Sequence, residues 1–329
     1  MKRYVLLIID IVILIIIMST LIILFKPDEV IKENTERIEI VATLFPQYDF
    51  VKHIVEDKAD VKLLIKPGVE THTFEPTQKD MININNSDLF LYTGSELEPW
   101  TAEISDSITS NLKFVDISKN INLIDIHEFE KKYENTNIVK NYTDENEEHE
   151  HHSRDAHIWL NPKNAIIMID NILEEIITID KENEDFYRNN AEEYKKQIVE
   201  IDKKIEDAIS NAEIKELAFG GEFAYSYFID RYNLSFVSVY TNCGHGEDPS
   251  IARVKSVIDY INNKNIPVVF YEELSEGTVA KMIAEETETK PLILYTIHNA
   301  NLEGENPDTY VTLMKKNLEN LKQALYIQK

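Results

Sequence analysis

The 329 residues can fill one large core or two ordinary ones, and 59 acidic against 34 basic side chains give a formal net charge of -25. So acidic a chain repels phosphate backbones, which argues against nucleic acid as a partner, and it suits the attraction of a cation. The single cysteine, Cys243, excludes an internal disulfide framework and a multi-cysteine zinc site, and is read as a small packed residue.

In chain order, Lys2 and Arg3 precede an apolar run from Tyr4 to Phe25 that only Asp10 and Ser19-Thr20 interrupt. The run is long enough to cross a bilayer and longer than a signal-peptide core, and no small-x-small cleavage site follows it. Residues 1–25 are therefore read as an uncleaved membrane anchor, with a cleaved signal as the alternative. The basic flank places everything after it outside the cytoplasm. Residues 26–37 make a polar tether.

From there β-branched runs alternate with helical periodicity. The expected strands are Ile38–Thr43, Val61–Ile65, Asp88–Tyr92 and Leu112–Val115, then Glu216–Phe219, Ser235–Val239, Pro267–Tyr271 and Leu292–Tyr295. This is an α/β pattern: two lobes, each a roughly four-stranded parallel sheet flanked by helices. Between them Tyr187, Ala191, Tyr194, Ile198, Ile201, Ile205 and Ala208 step by four and three, with charged residues on the other faces. That spacing predicts one long amphipathic helix over 184–211, able to join the lobes 38–183 and 212–329 rigidly. It holds too few heptads for a coiled-coil dimer, so a monomer is expected. An earlier helix opens at Asn161-Pro162, cap then first position, and runs to about Ile177.

The polar stretch 141–154 crowds His149, His151 and His152 among carboxylates, then delivers the chain to Asp155-Ala156-His157-Ile158-Trp159. Three further residues lie just past expected strands, where open parallel sheets gather ligands: His72, Glu222 and His298. With His157 they make three imidazoles and one carboxylate, a four-coordinate set for Zn²⁺ that Mn²⁺ would also accept. Glu222 competes with a helix N-terminal role, because Phe223–Phe228 reads as a helix. Thr296 or Asn299 could face the site in place of His298, and His245 is a distant candidate. His53 and His127 are read as ordinary surface histidines.

The residues resemble the zinc- and manganese-binding solute-binding proteins of ABC importers, over nearly all of Ile38–Leu325. The likeness rests on Pro67-Gly68-x-x-x-His72-x-Phe74-Glu75-Pro76, Gly94-x-x-Leu97-Glu98-Pro99-Trp100 and Asp155-x-His157-x-Trp159-Leu160-x-Pro162. It continues in Glu222-x-Ala224-x-x-Tyr227-Phe228 and Glu272-Glu273. The resemblance implies metal capture with no chemistry on a substrate, delivery to an ABC permease in the same membrane, and ligands at His72 and His157. The third ligand, histidine in zinc-type and glutamate in manganese-type members, falls on Glu222. The fourth is usually an aspartate; none is present there, and His298 is the nearest ligand-capable residue. A His/Glu-rich loop is a zinc-type feature, which makes His149, His151 and His152 auxiliary collectors. Zinc is the expected ion and manganese the alternative. A zinc hydrolase finds no His-Glu-x-x-His helix or nucleophile elbow in the sequence. An adhesin-like surface protein with a structural metal is the remaining rival.

Overall fold

Eight short strands pair into two separate parallel sheets in the computed structural model, which describes residues 37–133 except 106, 107, 109 and 110, then 154–240 and 249–325. The expected anchor and most of the tether, the His/Glu tract with His149, His151 and His152, and Cys243 with His245 lie outside the described residues.

The first half runs β1 (Ile38–Ala42), α1 (Phe45–Val55), β2 (Ala59–Leu63), α2 (Gln78–Asn85), β3 (Leu89–Tyr92), α3 (Trp100–Ser105) and β4 (Lys113–Asp116), with sheet order β2-β1-β3-β4. Next come α4 (Ile126–Lys132), a 3₁₀ turn at Ile158–Leu160, α5 (Pro162–Ile179) and α6 (Glu184–Ser210). The second half is β5 (Glu216–Phe219), α7 (Ser226–Tyr232), β6 (Ser235–Ser238), α8 (Ile251–Lys264), β7 (Val268–Tyr271), α9 (Thr278–Thr287), β8 (Lys290–Ile293) and α10 (Tyr310–Leu325), with order β6-β5-β7-β8. Each sheet reverses its winding at the middle pair, β1/β3 and β5/β7, and the crevice beyond such strand ends is where ligands collect.

The helix α6 has 27 residues and so is about 40 Å long. Every position expected to face inward, from Tyr187 to Ala208, is buried. It packs on α1 and α5 of the first half and on α10 of the second. A single apolar cluster runs from Ile40 and Phe50 through Ile169, Tyr194 and Ile201 to Phe270, Tyr310 and Leu321. The two sheets thus share one core across the linking helix, and Ile38–Lys329 forms one compact unit. Smaller clusters close the outer faces, Val41, Phe90 and Trp100 on the first sheet and Val237, Ile261 and Val269 on the second.

Helix ends follow local chemistry. Asn161 accepts the Lys163 N–H at 3.0 Å with Pro162 in the first turn, so α5 begins where the sequence places it. Asp125 accepts the Glu128 N–H at 3.0 Å, which starts α4 and places His127 on it. The helix expected from Phe223 starts only at Ser226, leaving Glu222 on an irregular segment ahead of it. β8 starts two residues early, because parallel pairing sets Lys290 opposite Val268 and Ile293 opposite Tyr271. No helix among the described residues is long and apolar enough to cross a membrane.

Candidate metal centre

His72 sits on the loop after β2, whose turn needs Gly68 at φ 85° and whose far end is pinned by Phe74 edge-on to Trp100 at 5.7 Å. The His72 N–H donates to Glu70 Oε1 at 3.0 Å. His157 caps the 3₁₀ turn ahead of α5 and is 4 % exposed. Asp155 Oδ1 accepts both its backbone N–H, at 2.8 Å, and its ring Nδ1–H, at 2.7 Å. With Nδ1 carrying the proton, the Nε2 lone pair is left for another partner.

His298 comes from the turn after β8. Ile297, just before it, holds φ 64°, a left-handed conformation that a β-branched residue rarely adopts. Glu273 compels that turn: its carboxylate accepts the Thr296 N–H at 2.8 Å and the Thr296 hydroxyl at 2.9 Å. Since the hydroxyl proton is spent on Glu273, Thr296 Oγ1 accepts from His298 Nδ1–H at 2.9 Å. The His298 Nε2 lone pair is thereby turned outward, as in His157. In both residues Nε2 is buried and meets no protein hydrogen-bond partner.

The three imidazoles converge. Their ligand atoms all lie within 4.8 Å of one another, with ring centroids 5.5 Å (His72–His157), 5.9 Å (His72–His298) and 4.7 Å (His157–His298) apart. Tetrahedral zinc sets neighbouring nitrogens about 3.3 Å apart, so a contraction of at most about 1.5 Å closes the set.

A model of the family described as ZnuA, zinc-uptake complex component A, periplasmic, matches residues 40–324. The chain belongs to this family. It is 32 % identical over 295 residues to the high-affinity zinc uptake system protein ZnuA of Bacillus subtilis, covering 89 % of both chains. The zinc-binding protein AdcA of Streptococcus pyogenes is 29 % identical over 288 residues, of which this chain spans only 56 %. Among solved structures, the metal-dependent lipoprotein YcdH of Bacillus subtilis has a TM-score of 0.71 at 30 % identity, with 88 % of this chain and 100 % of that one covered. The Zn(II)-bound ZnuA-like domain of Streptococcus pneumoniae AdcA has 0.70 at 25 %, with 88 % and 99 % covered. As a ZnuA-family member the chain is a transport protein and not an enzyme.

At this ZnuA-family site the electrostatics favour the neutral form of His298. Burial, reinforced by the charges of His157 and His72, pushes His298 well below the usual histidine value. Burial would raise Asp155, but the His157 ring, both His157 N–H groups and the Ser226 hydroxyl overcome it and hold that carboxylate below its usual range. Burial also pushes Glu273 up, against hydrogen bonds from Thr296 and Asn299.

Glu222 stands apart from the three-histidine group. It lines, with Glu70, Glu272, Thr296 and His298, a cavity of about 280 Å³ that opens beside them. Glu272 there is raised by burial and then by the charge of Glu222, and it leaves no room for a side chain at Gly221, whose Cβ would lie 2.0 Å from Glu272 Oε2. Of the candidates weighed from sequence, Thr296 and Asn299 prove to be neighbours of His298 that hold the turn. The sequence reading missed Asp155 and Glu273 as orienting groups, although the Asp-x-His spacing and the Glu-Glu pair were both in view.

Proposed function

We propose that this chain captures Zn²⁺ outside the cytoplasm and passes it to an ABC permease in the same membrane, with residues 1–25 as its anchor. The carrying observation is the convergence of three imidazoles from both halves of the fold, two of them with buried, unspent Nε2 atoms. His72, His157 and His298 are the nitrogen ligands in this reading, and Glu222, from the adjoining cavity, supplies the carboxylate. Three nitrogens and one oxygen suit zinc better than manganese, and the relatives named as zinc-binding support the same ion. The loop histidines His149, His151 and His152 would act as weak collectors.

Because the ligands divide between the halves, binding draws the lobes together by a small rocking motion, which the linking helix keeps short of a wide hinge closure. A permease can read that change.

The test is metal content after competitive loading with Zn²⁺ and Mn²⁺, for the parent chain, His298→Ala and Glu222→Ala. One zinc per chain is expected in the parent, with loss of zinc in His298→Ala and weakened retention in Glu222→Ala. Preferential manganese loading would sink the zinc assignment, and full retention by His298→Ala would remove that residue from the site.

A further inference from the structure

Each first-half segment that carries a histidine also sends one hydrogen bond across to the turn that carries His298. Trp159, two residues past His157, donates its indole Nε1–H to the Thr296 carbonyl at 2.8 Å. Gly68, four residues before His72, donates its N–H to Asn299 Oδ1 at 2.6 Å. The two bonds grip the turn on either side of His298. We infer that Trp159 and Asn299 are positioning residues, a two-point latch that sets His298 against His72 and His157 and so governs how long the ion stays.

The surroundings support a latch over simple packing. Trp159 is fully buried, and its backbone carbonyl accepts the Tyr310 hydroxyl at 2.8 Å, so α10 holds the main chain beneath the indole from the second half as well. Its ring meets both His157, at 5.6 Å and 65°, and His298, at 5.2 Å and 74°. A Phe would fill most of that volume, but only an indole offers an N–H on that edge. The turn needs outside help because Ile297 is strained, and a strained residue persists only when its surroundings over-determine it. Glu273 fixes the turn within its own half; the latch fixes it relative to the other.

This inference rests on the proposed ligand set, and its test separates the two. Trp159→Phe and Asn299→Ala in the full chain each remove one cross-half bond. Each is expected to release zinc roughly three- to tenfold faster into excess chelator, the scale of one neutral hydrogen bond, with little change in the association rate. Tyr232→Phe is the control: it removes a hydrogen bond of 2.8 Å to Asp202 on the linking helix and should lower the melting temperature without hastening release. Parent-like release from both latch variants overturns the inference. So does a Tyr232→Phe variant that releases zinc as fast as they do, since general loosening would then explain everything.

A second readout needs no metal. The chain has two tryptophans, and the Trp100 Nε1 is buried with no hydrogen-bond partner, so it serves as the reference. In the zinc-free parent the Trp159 indole proton should exchange more slowly than that of Trp100, and Trp159→Phe should shift the His298 ring signals. A parent that takes up no zinc would refute the proposed function, while unmoved His298 signals would refute the latch.

Discussion

Asp155→Asn separates the orientation of a metal-binding histidine from its mere presence. The carboxylate accepts two N–H groups of His157, at 2.8 and 2.7 Å, and both residues are over nine-tenths buried. Asparagine keeps the size and one acceptor oxygen, so the backbone bond survives. The charge is lost, and if the new amide turns its NH₂ towards Nδ1, the imidazole proton moves to Nε2 and blocks the ligand lone pair. Losing such a carboxylate partner costs roughly ten- to a hundredfold in metal affinity, about 1.4–2.7 kcal/mol. The folded chain also holds Asp155 below its usual range. A depressed carboxylate adds stability that is present above its unfolded value and lost as pH falls through the folded one. The variant should therefore melt lower than the parent at neutral pH, and the gap should narrow in acid. Zinc competition against a chromophoric chelator measures the first effect and thermal melts at neutral and acid pH the second. An affinity within twofold of the parent would refute the argument and leave packing alone to orient His157.

Further outcomes follow from particular groups and from metal removal. In the metal-free chain, His298 lies well below 6.5, so stability should fall as pH drops below that value, where the unfolded chain takes up a proton the fold refuses. Glu98, raised by burial to about 8, acts oppositely: its contribution is full below the unfolded carboxylate value and lost as pH rises through about 8. Urea midpoints across pH should thus lose their acid slope in His298→Asn and, in Glu98→Gln, the decline between the unfolded carboxylate value and about 8; unchanged profiles would show that neither group is perturbed. Ile297→Gly relieves about 1–3 kcal/mol of strain but removes a fully buried side chain worth roughly 2–5 kcal/mol, so denaturation should show a net loss of stability. A stabilised variant would mean that strain dominates. Chelation should lower the melting temperature only by mass action while helicity persists, because the shared core and its outer clusters close without the ion; unfolding on chelation would favour a structural metal.

The sequence made the fold legible where burial imposes a period. Tyr187 to Ala208 steps along one helix face, and every one of those residues is buried. The β-branched runs Ile38–Ala42 and Val268–Tyr271 are strands because both faces of a parallel sheet are covered. His72 and His157 could be picked out because their own neighbours shape their loops: Pro67-Gly68 in one case, Asp155 in the other. His298 was the least readable of the three. Its geometry depends on the hold that Glu273, 23 residues before Thr296, and Trp159, 137 residues before Thr296, keep on that threonine. No local rule places a β-branched residue at φ 64°, so the turn that aims His298 exists only once those partners are assembled. The late start of α7 is similar, since Glu222-Phe223-Ala224-Tyr225 has helical spacing but forms no regular structure.

On the proposed ligand set, the chain exchanges donors between two loops. The resemblance implies a histidine or glutamate after β5 and a carboxylate after β8; this chain has Glu222 at the first and His298 at the second. The exchange keeps three nitrogens and one oxygen, so the preference for zinc does not require the third imidazole to come from the β5 loop. It does change what the β8 turn must do. An imidazole there has to reach a position 4.7 Å, centroid to centroid, from His157 while keeping its Nδ1 hydrogen-bonded, and the left-handed Ile297 achieves that. The strain, about 1–3 kcal/mol, is offset locally by two hydrogen bonds to Glu273 and across the lobes by those of Trp159 and Asn299. The same bonds that make the strained turn tolerable also fix the distance between ligands from different halves, so loss of either bond should register in metal release before it registers in folding.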